Sequence, residues 1–341
     1  MRSKPVFSLR PESDPQAADI LPARFPGHLP MSEAQTASHV LMIRPVQFAG
    51  NEQTAASNRF QQSGDLQHGD AVQKAARAEF DGLANALATA GVRLHVFDDT
   101  PQPHTPDSIF PNNWVSFHAD GTAVLYPMLA HNRRMERRLD ILEALDLQHG
   151  FHISRTIDLT HREAEGKFLE GTGSLVLDRA NRIAYACLSP RTDMDVLGEF
   201  AQRLDYEVVA FDAFDAAGAA IYHTNVLMSV GTRYAAVCAE CIDAQRRDAV
   251  IGMLERSGRI IVDLSMEQMN RFAGNMLELQ TQSGDAVIAM SRTALTSLRD
   301  DQRAALETCG RIVSADIPVI ERLGGGSVRC MIAEVHLPKR K

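Results

Sequence analysis

The chain has no long basic run and no apolar stretch near the ~20 residues that cross a bilayer. Its net charge is −8, so a nucleic-acid partner is not expected, nor is a membrane partner. Cysteine is sparse, with five residues that show no secreted disulfide pattern, which points to a reducing compartment. The N-terminus lacks the continuous apolar segment of a signal peptide, and a cytoplasmic location is expected. What the chain does contain is an ordinary globular mixture, 45% hydrophobic and 23% charged over 341 residues, enough for a large core or two domains.

Six prolines between Pro5 and Pro30 preclude long regular elements at the start. Residues 1–38 are expected to form a loosely ordered arm, with Met31 as an alternative start. From residue 39 a module recurs. The first has a strand at 40–44 stopped by Pro45, a long loop carrying Phe48, Asn51 and Phe60, a helix over about 70–90 and a strand at 92–97. The second opens at Asp107, with hairpin strands at 115–117 and 122–126 about Ala119-Asp120-Gly121, a charged helix over about 133–147 and a strand over 151–159. The third places its hairpin at 174–178 and 182–186, its helix from about 193 and its closing strand at 207–211. The fourth has strands at 226–230, 234–237 and 259–262 with a helix over 244–256. The fifth has strands at 276–279, 286–290 and 311–313 with a helix over 294–308. A last strand, 331–337, supplies the partner missing from the first module.

A strand–turn–strand–helix–strand unit therefore repeats five times at roughly 50–60 residues, a period of propellers and arrays. Joining the last strand to the first module closes a ring and removes exposed strand edges. The expectation is an α/β fold with one domain over residues 39–338.

The segment opening each hairpin carries a polar set. These are Asp107 with Asn112 and Asn113, then Glu170, His223, Asn275 and finally Cys330. In a closed ring equivalent positions converge on the axis, bringing a thiol, an imidazole and a carboxylate to one cleft. Cys330 follows Gly324-Gly325-Gly326 and sits beside Arg329, which would favour the nucleophilic thiolate. Taken singly, each residue has a plainer reading: a packed core thiol, a satisfied imidazole, turn residues. Sharing one position per repeat is what sets them apart.

The motifs Ile109-Phe110-Pro111-Asn112-Asn113-Trp114, Glu170-Gly171-Thr172-Gly173, Ser189-Pro190-Arg191-Thr192, His223 and Gly324 to Cys330 resemble the guanidino-group-modifying (amidinotransferase) superfamily. That group includes arginine deiminase and dimethylarginine dimethylaminohydrolase, and the nearest likeness is to its citrulline utilization hydrolase branch. The resemblance covers residues 39–338 and implies a five-bladed α/β-propeller of the pentein type. It implies Cys330 as nucleophile, His223 as acid/base and Glu170 as the carboxylate that orients His223 and holds substrate nitrogens. Arg191 and one of Arg133 or Arg134, with Arg134 the expected choice, would clamp the substrate carboxylate, and Asp107 would take its α-amino group. Asn112, Asn113 and Asn275 complete the expected substrate contacts. No cofactor and no metal are implied. The expected partners are a small amino-acid substrate and, as an open point, further copies of the chain.

Deiminases of the superfamily place an acidic residue where Asn113 stands. A buried carboxylate facing a neutral ureido group would lack a charge partner, whereas an amide offers both a donor and an acceptor. The sequence thus points to L-citrulline, hydrolysed to ornithine, carbon dioxide and ammonia through a covalent adduct on Cys330, with protonated His223 stabilising the thiolate. Arginine deimination or dihydrolysis and dimethylarginine hydrolysis are the alternatives. A non-enzymatic propeller scaffold is a remoter one. The lone pair Cys238-x-x-Cys241 is weak as a zinc motif and reads as structural.

Overall fold

The computed structural model describes residues 33–62 and 69–340. Most of the expected N-terminal arm and the alternative start at Met31 lie outside the described residues. In the first module β1 (His39–Arg44) pairs in parallel with β2 (Arg93–Asp98). A parallel pair needs a long crossover, and the helix Asp70–Ala90 provides it. That helix buries Val72, Ala76, Phe80, Leu83 and Leu87, one apolar stripe at helical spacing. Gly91, at φ 98°, ends it by donating its N–H to the carbonyls of Leu87 and Ala88.

The next four modules share one topology. In each an antiparallel hairpin is followed by a helix and by a third strand parallel to the hairpin's second. They comprise β3 (Val115–Phe117), β4 (Thr122–Leu125) and β5 (Arg155–Asp158); β6 (Val176–Asp178), β7 (Ile183–Cys187) and β8 (Glu207–Phe211). Then come β9 (Met228–Val230), β10 (Tyr234–Val237) and β11 (Ile260–Asp263); and β12 (Leu277–Gln280), β13 (Ala286–Ser291) and β14 (Arg311–Ala315). Finally β15 (Ala333–Glu334) pairs antiparallel with β1, so five three-stranded sheets result and the ring closes through the C-terminal strand.

The inner strands surround the axis: β15 packs on β3, β6 on β9 and β9 on β12. Middle strands such as β7 are fully buried, while outer strands such as β5 are largely exposed. The apolar core is a circle of clusters between neighbouring modules. Val40 and Met42 pack with Leu279 and Val287 of the fifth module, and Leu41 and Ile43 pack with Val115 and Phe117 of the second. Among the described residues no helix is long and apolar enough to cross a membrane.

Three local expectations change. The helix expected over 133–147 is broken: a 3-10 turn, Asn132–Glu136, precedes the helix Leu139–Leu147, because Arg137 and Arg138 are extended. The strand expected over 331–337 is only Ala333–Glu334, since a backbone turn follows Ser327 and carries Cys330. Residues 33–38 pack into the ring. Gln35 Nε2 donates to the carbonyls of Leu177 and Val230, and Glu33 pairs with Arg179 at 2.9 Å.

Candidate active site

Asn112, Asn113, Glu170 and His223 sit at or beside a single turn of helix that precedes an inner strand, while Asp107, Asn275 and Cys330 lie in hydrogen-bonded backbone turns. Asn112 and Asn113 lie in the turn Pro111–Asn113 before β3. Glu170 caps the turn Gly171–Ser174 before β6, and His223 caps Thr224–Leu227 before β9. The third module requires glycine for this approach. A Cβ at Gly173 would stand 2.4 Å from Asn113 Nδ2 and 2.7 Å from His223 Nδ1, and one at Gly171, where φ is +47°, would stand 2.2 Å from the Asn112 carbonyl oxygen.

The turns converge on one narrow cleft. Asp107, Asn113, Arg133, Arg191, His223 and Cys330 line it, with Tyr222 and Gly324 to Gly326 as wall. The loop after β1 covers one side through Asn58, whose Nδ2 donates to the carbonyls of Gly324 and Gly325.

Glu170 is the electrostatic hub. Its Oε2 lies 2.9 Å from His223 Nε2 and 3.3 Å from Arg191 Nη1, and Oε1 accepts the Leu129 N–H. Burial alone would raise the Glu170 carboxyl, but Arg191, His223 and Arg133 outweigh it and hold it well below the usual carboxylate range. Burial dominates at His223 and lowers it to about 4, despite the Glu170 carboxylate pulling the other way. Burial thus favours the neutral imidazole, whereas the sequence suggests a protonated His223 beside the thiolate. Its Nε2–H donates to Glu170, leaving Nδ1 with a free lone pair.

The sulfur of Cys330 receives two amide donors, Asn275 Nδ2 at 3.3 Å and Asn225 Nδ2 at 3.4 Å. Such donors suit a negatively charged sulfur. Arg329 does not serve this role. Its guanidinium turns to Glu334 at 2.8 Å and to the Ile332 carbonyl, and its backbone N–H donates to Asn275 Oδ1.

Two guanidinium groups face the cleft, those of Arg133 and Arg191. Arg133 forks onto Glu136 at 2.9 Å and donates to Asn113 Oδ1 at 2.9 Å. Arg191 donates to Ser57, Thr54 and Glu170 and lies 4.9 Å over the Tyr222 ring. Arg134 is elsewhere: it donates to the carbonyls of Met128 and Leu129 and pairs with Glu163. Asp107 receives Asn51 Nδ2 at 2.7 Å on Oδ2, while its Oδ1 is buried with no hydrogen-bond partner among the described residues. Burial pushes the Glu136 carboxyl up to about 8 against the pull of Arg133.

The structure thus brings Cys330, His223, Glu170, Asp107, Asn113 and Arg191 together. It sets Asn275 against the sulfur rather than along the cleft wall, and leaves Asn112 buried, off the cleft, with both amide atoms unpaired among the described residues. Sequence reasoning named Arg133 and Arg134 and leaned to Arg134, whereas of the two only Arg133 faces the cleft; it did not single out Glu136 or Asn225. Glu136 was signalled by its i, i+3 spacing from Arg133, and Asn225 by sharing a turn with His223. Cys238 and Cys241 lie apart in the core of the fourth module, sulfurs 2.7 Å from each other.

A family profile for N,N dimethylarginine dimethylhydrolase, eukaryotic, matches residues 44–337. No curated protein matches the chain. The substrate-bound N-terminal domain of ArgZ, an arginine dihydrolase of the ornithine–ammonia cycle in cyanobacteria, superposes with a TM-score of 0.67 at 18% identity, covering 87% of this chain and 97% of that one. The enzyme from Pseudomonas aeruginosa named DDAH, solved with citrulline, gives 0.60 at 15% identity over 87% of this chain and 99% of that one. AgrE in complex with ornithine and NAD+ gives 0.69 at 19% identity over 89% of this chain, which spans only 40% of AgrE's length and 40% of full-length ArgZ. At these identities the likeness is one of fold, the pentein-type α/β-propeller.

Proposed function

The chain belongs to the family N,N dimethylarginine dimethylhydrolase, eukaryotic, whose members hydrolyse guanidino C–N bonds, and from that premise we propose that it hydrolyses L-citrulline to L-ornithine, carbon dioxide and ammonia. The observation that carries the choice of substrate is the chemistry around the sulfur. The groups within hydrogen-bond reach of Cys330 Sγ are neutral amides, and the cleft's Asn113 is an amide as well, while Glu170 is already engaged by His223 and Arg191. A neutral ureido group fits that set, whereas a guanidinium would enter without a free carboxylate beside the reacting carbon.

The ring from residue 39 to 338 acts as one catalytic domain on this reading. The Asp107 Oδ1 that the fold leaves unpaired receives the substrate α-ammonium. Arg133 and Arg191 hold the α-carboxylate, which fixes the ureido carbon over the sulfur. His223 starts as the base. Its free Nδ1 takes the thiol proton as sulfur bonds to carbon, and Glu170 stabilises the imidazolium that forms. The tetrahedral adduct collapses when the C–NH2 bond breaks, and the His223 proton leaves with ammonia. Water then gives a proton to His223 and attacks the thiocarbamate, the C–S bond breaks, and the carbamate of ornithine loses carbon dioxide.

Arginine dihydrolysis, which passes through citrulline, is the second reading. It draws on the unpaired Asp107 Oδ1, which could take a cation. Incubation with citrulline, arginine and dimethylarginine separately, with ornithine and citrulline both quantified, tests the choice. Ornithine from citrulline is the expected result. Citrulline accumulating from arginine or dimethylarginine, with citrulline itself untouched, would overturn it.

A further inference from the structure

We propose that Asn225 is a positioning residue of the reaction, its Nδ2–H placed to stabilise the negative charge that the sulfur of Cys330 takes on as His223 receives its proton and again as it departs. The proposal rests on the reading of Cys330 as the nucleophile. Asn225 follows His223 by two residues in the turn Thr224–Leu227 and is 1% exposed. Its Nδ2 lies 3.4 Å from Sγ, and its Oδ1 is buried with no partner among the described residues. The side chain therefore has one polar engagement among the described residues, and that engagement is the sulfur. Folding does not explain it, because an apolar side chain of that size would fill the space without leaving a buried acceptor unpaired.

Asn275 differs. Its Nδ2 is shared between Sγ at 3.3 Å and the Asn225 carbonyl at 3.0 Å, and its Oδ1 receives the Arg329 N–H. It is locked at both ends and ties the Cys330 turn to the fourth module. Asn225 is the donor dedicated to the sulfur.

The two N–H groups act twice. In the first step the sulfur loses its proton to His223 and gives an electron pair to the new C–S bond, so the donors favour the charged sulfur that precedes attack. In the second step water forms the C–O bond, the C–S bond breaks, and its electron pair returns to sulfur beneath the same donors. A preorganised donor at a site of developing charge contributes most where water is excluded, and Cys330 is 4% exposed.

The test uses the full chain and iodoacetamide as the thiol probe, with Cys330→Ser identifying the labelled residue. In Asn225→Ala the pH of half-maximal labelling of Cys330 is expected to rise by about one unit. The kcat is expected to fall roughly tenfold to hundredfold, with KM within about threefold. Asn225→Asp keeps the shape but sets a carboxylate against the sulfur, and should move the labelling profile further in the same direction. An unchanged labelling profile in either folded variant would overturn the proposal, as would a shifted profile with unchanged kcat. Labelling needs no substrate, so a shifted profile in a protein that ignores citrulline sinks the substrate reading alone.

Discussion

The two ends of the inner strands carry two buried charge clusters of similar composition and opposite character. Near the start of β6 lie Glu170, Arg133, Arg191, Asp107 and His223; past its end lie Arg179, Glu33, Glu334, Arg329 and His336. In the second cluster the charges pair off. Arg179 meets Glu33 at 2.9 Å and Glu334 at 3.8 Å, Arg329 meets Glu334 at 2.8 Å, and Glu33 also takes Arg182 and the Tyr206 hydroxyl. Burial would raise the Glu33 carboxyl, yet the facing cations bring it down to about 2. Among the described residues, Asp107 Oδ1, Asn225 Oδ1 and both amide atoms of Asn112 have no partner in and around the first cluster, against the single ring nitrogen His118 Nδ1 beside the second. Buried groups left unpaired are costly, and a chain under selection for stability alone would pair or replace them. On the proposed reading the first end completes its hydrogen bonds with substrate, while the second ties modules together.

Variants at the two ends should separate activity from stability. Cys330→Ser should reduce citrulline turnover by more than about 10³-fold with an unchanged unfolding midpoint, since it removes the nucleophile while keeping the shape. Full activity in that variant, checked by ornithine assay, would break the comparison. At the other end, Glu33→Ala leaves Arg179 buried with a weakened partnership and should cost about 3 kcal/mol in urea unfolding. Its turnover per folded molecule should stay at the parent value, and loss of kcat at full folding would show that the ends are not independent.

Arg133→Lys keeps the charge but cannot fork onto Glu136, and should lower kcat/KM by about tenfold or more. Arg134→Ala, away from the cleft, should stay within about threefold; the reverse ranking would reassign the clamp. The smallest effect is in pH. Burial lowers His223 to about 4, so the acid limb of kcat/KM should be centred near 4 rather than at the ordinary imidazole value of about 6.5. The linkage has a matching sign. The unfolded chain protonates His223 at higher pH than the folded one does, so this contribution to stability is complete above about pH 6.5. It is lost as pH falls through about 4.

Much of this was legible beforehand, for identifiable reasons. Hairpin turns such as Ala119-Asp120-Gly121 and helices with a buried stripe such as 70–90 depend on local spacing, so the five modules and their closure by the last strand could be read from the residues. The polar residues opening each hairpin were visible because they share a place in the repeat. What could not be read depends on which way a side chain turns. Arg133 and Arg134 are adjacent and alike in sequence; their directions show only in their partners, Glu136 and Asn113 for Arg133 and the carbonyls of Met128 and Leu129 for Arg134. Arg329 looks like the thiol's cation until Glu334, five residues on, claims it. The charge of His223 depends on burial and on Glu170 from another module.

The central claim is tested most directly by mass spectrometry of the protein quenched during turnover of L-citrulline, with ornithine measured in the same sample. The account predicts ornithine in solution and a thiocarbamate adduct on the peptide that contains Cys330. Unmodified Cys330 with no ornithine, in a folded protein that converts arginine to citrulline, would contradict it.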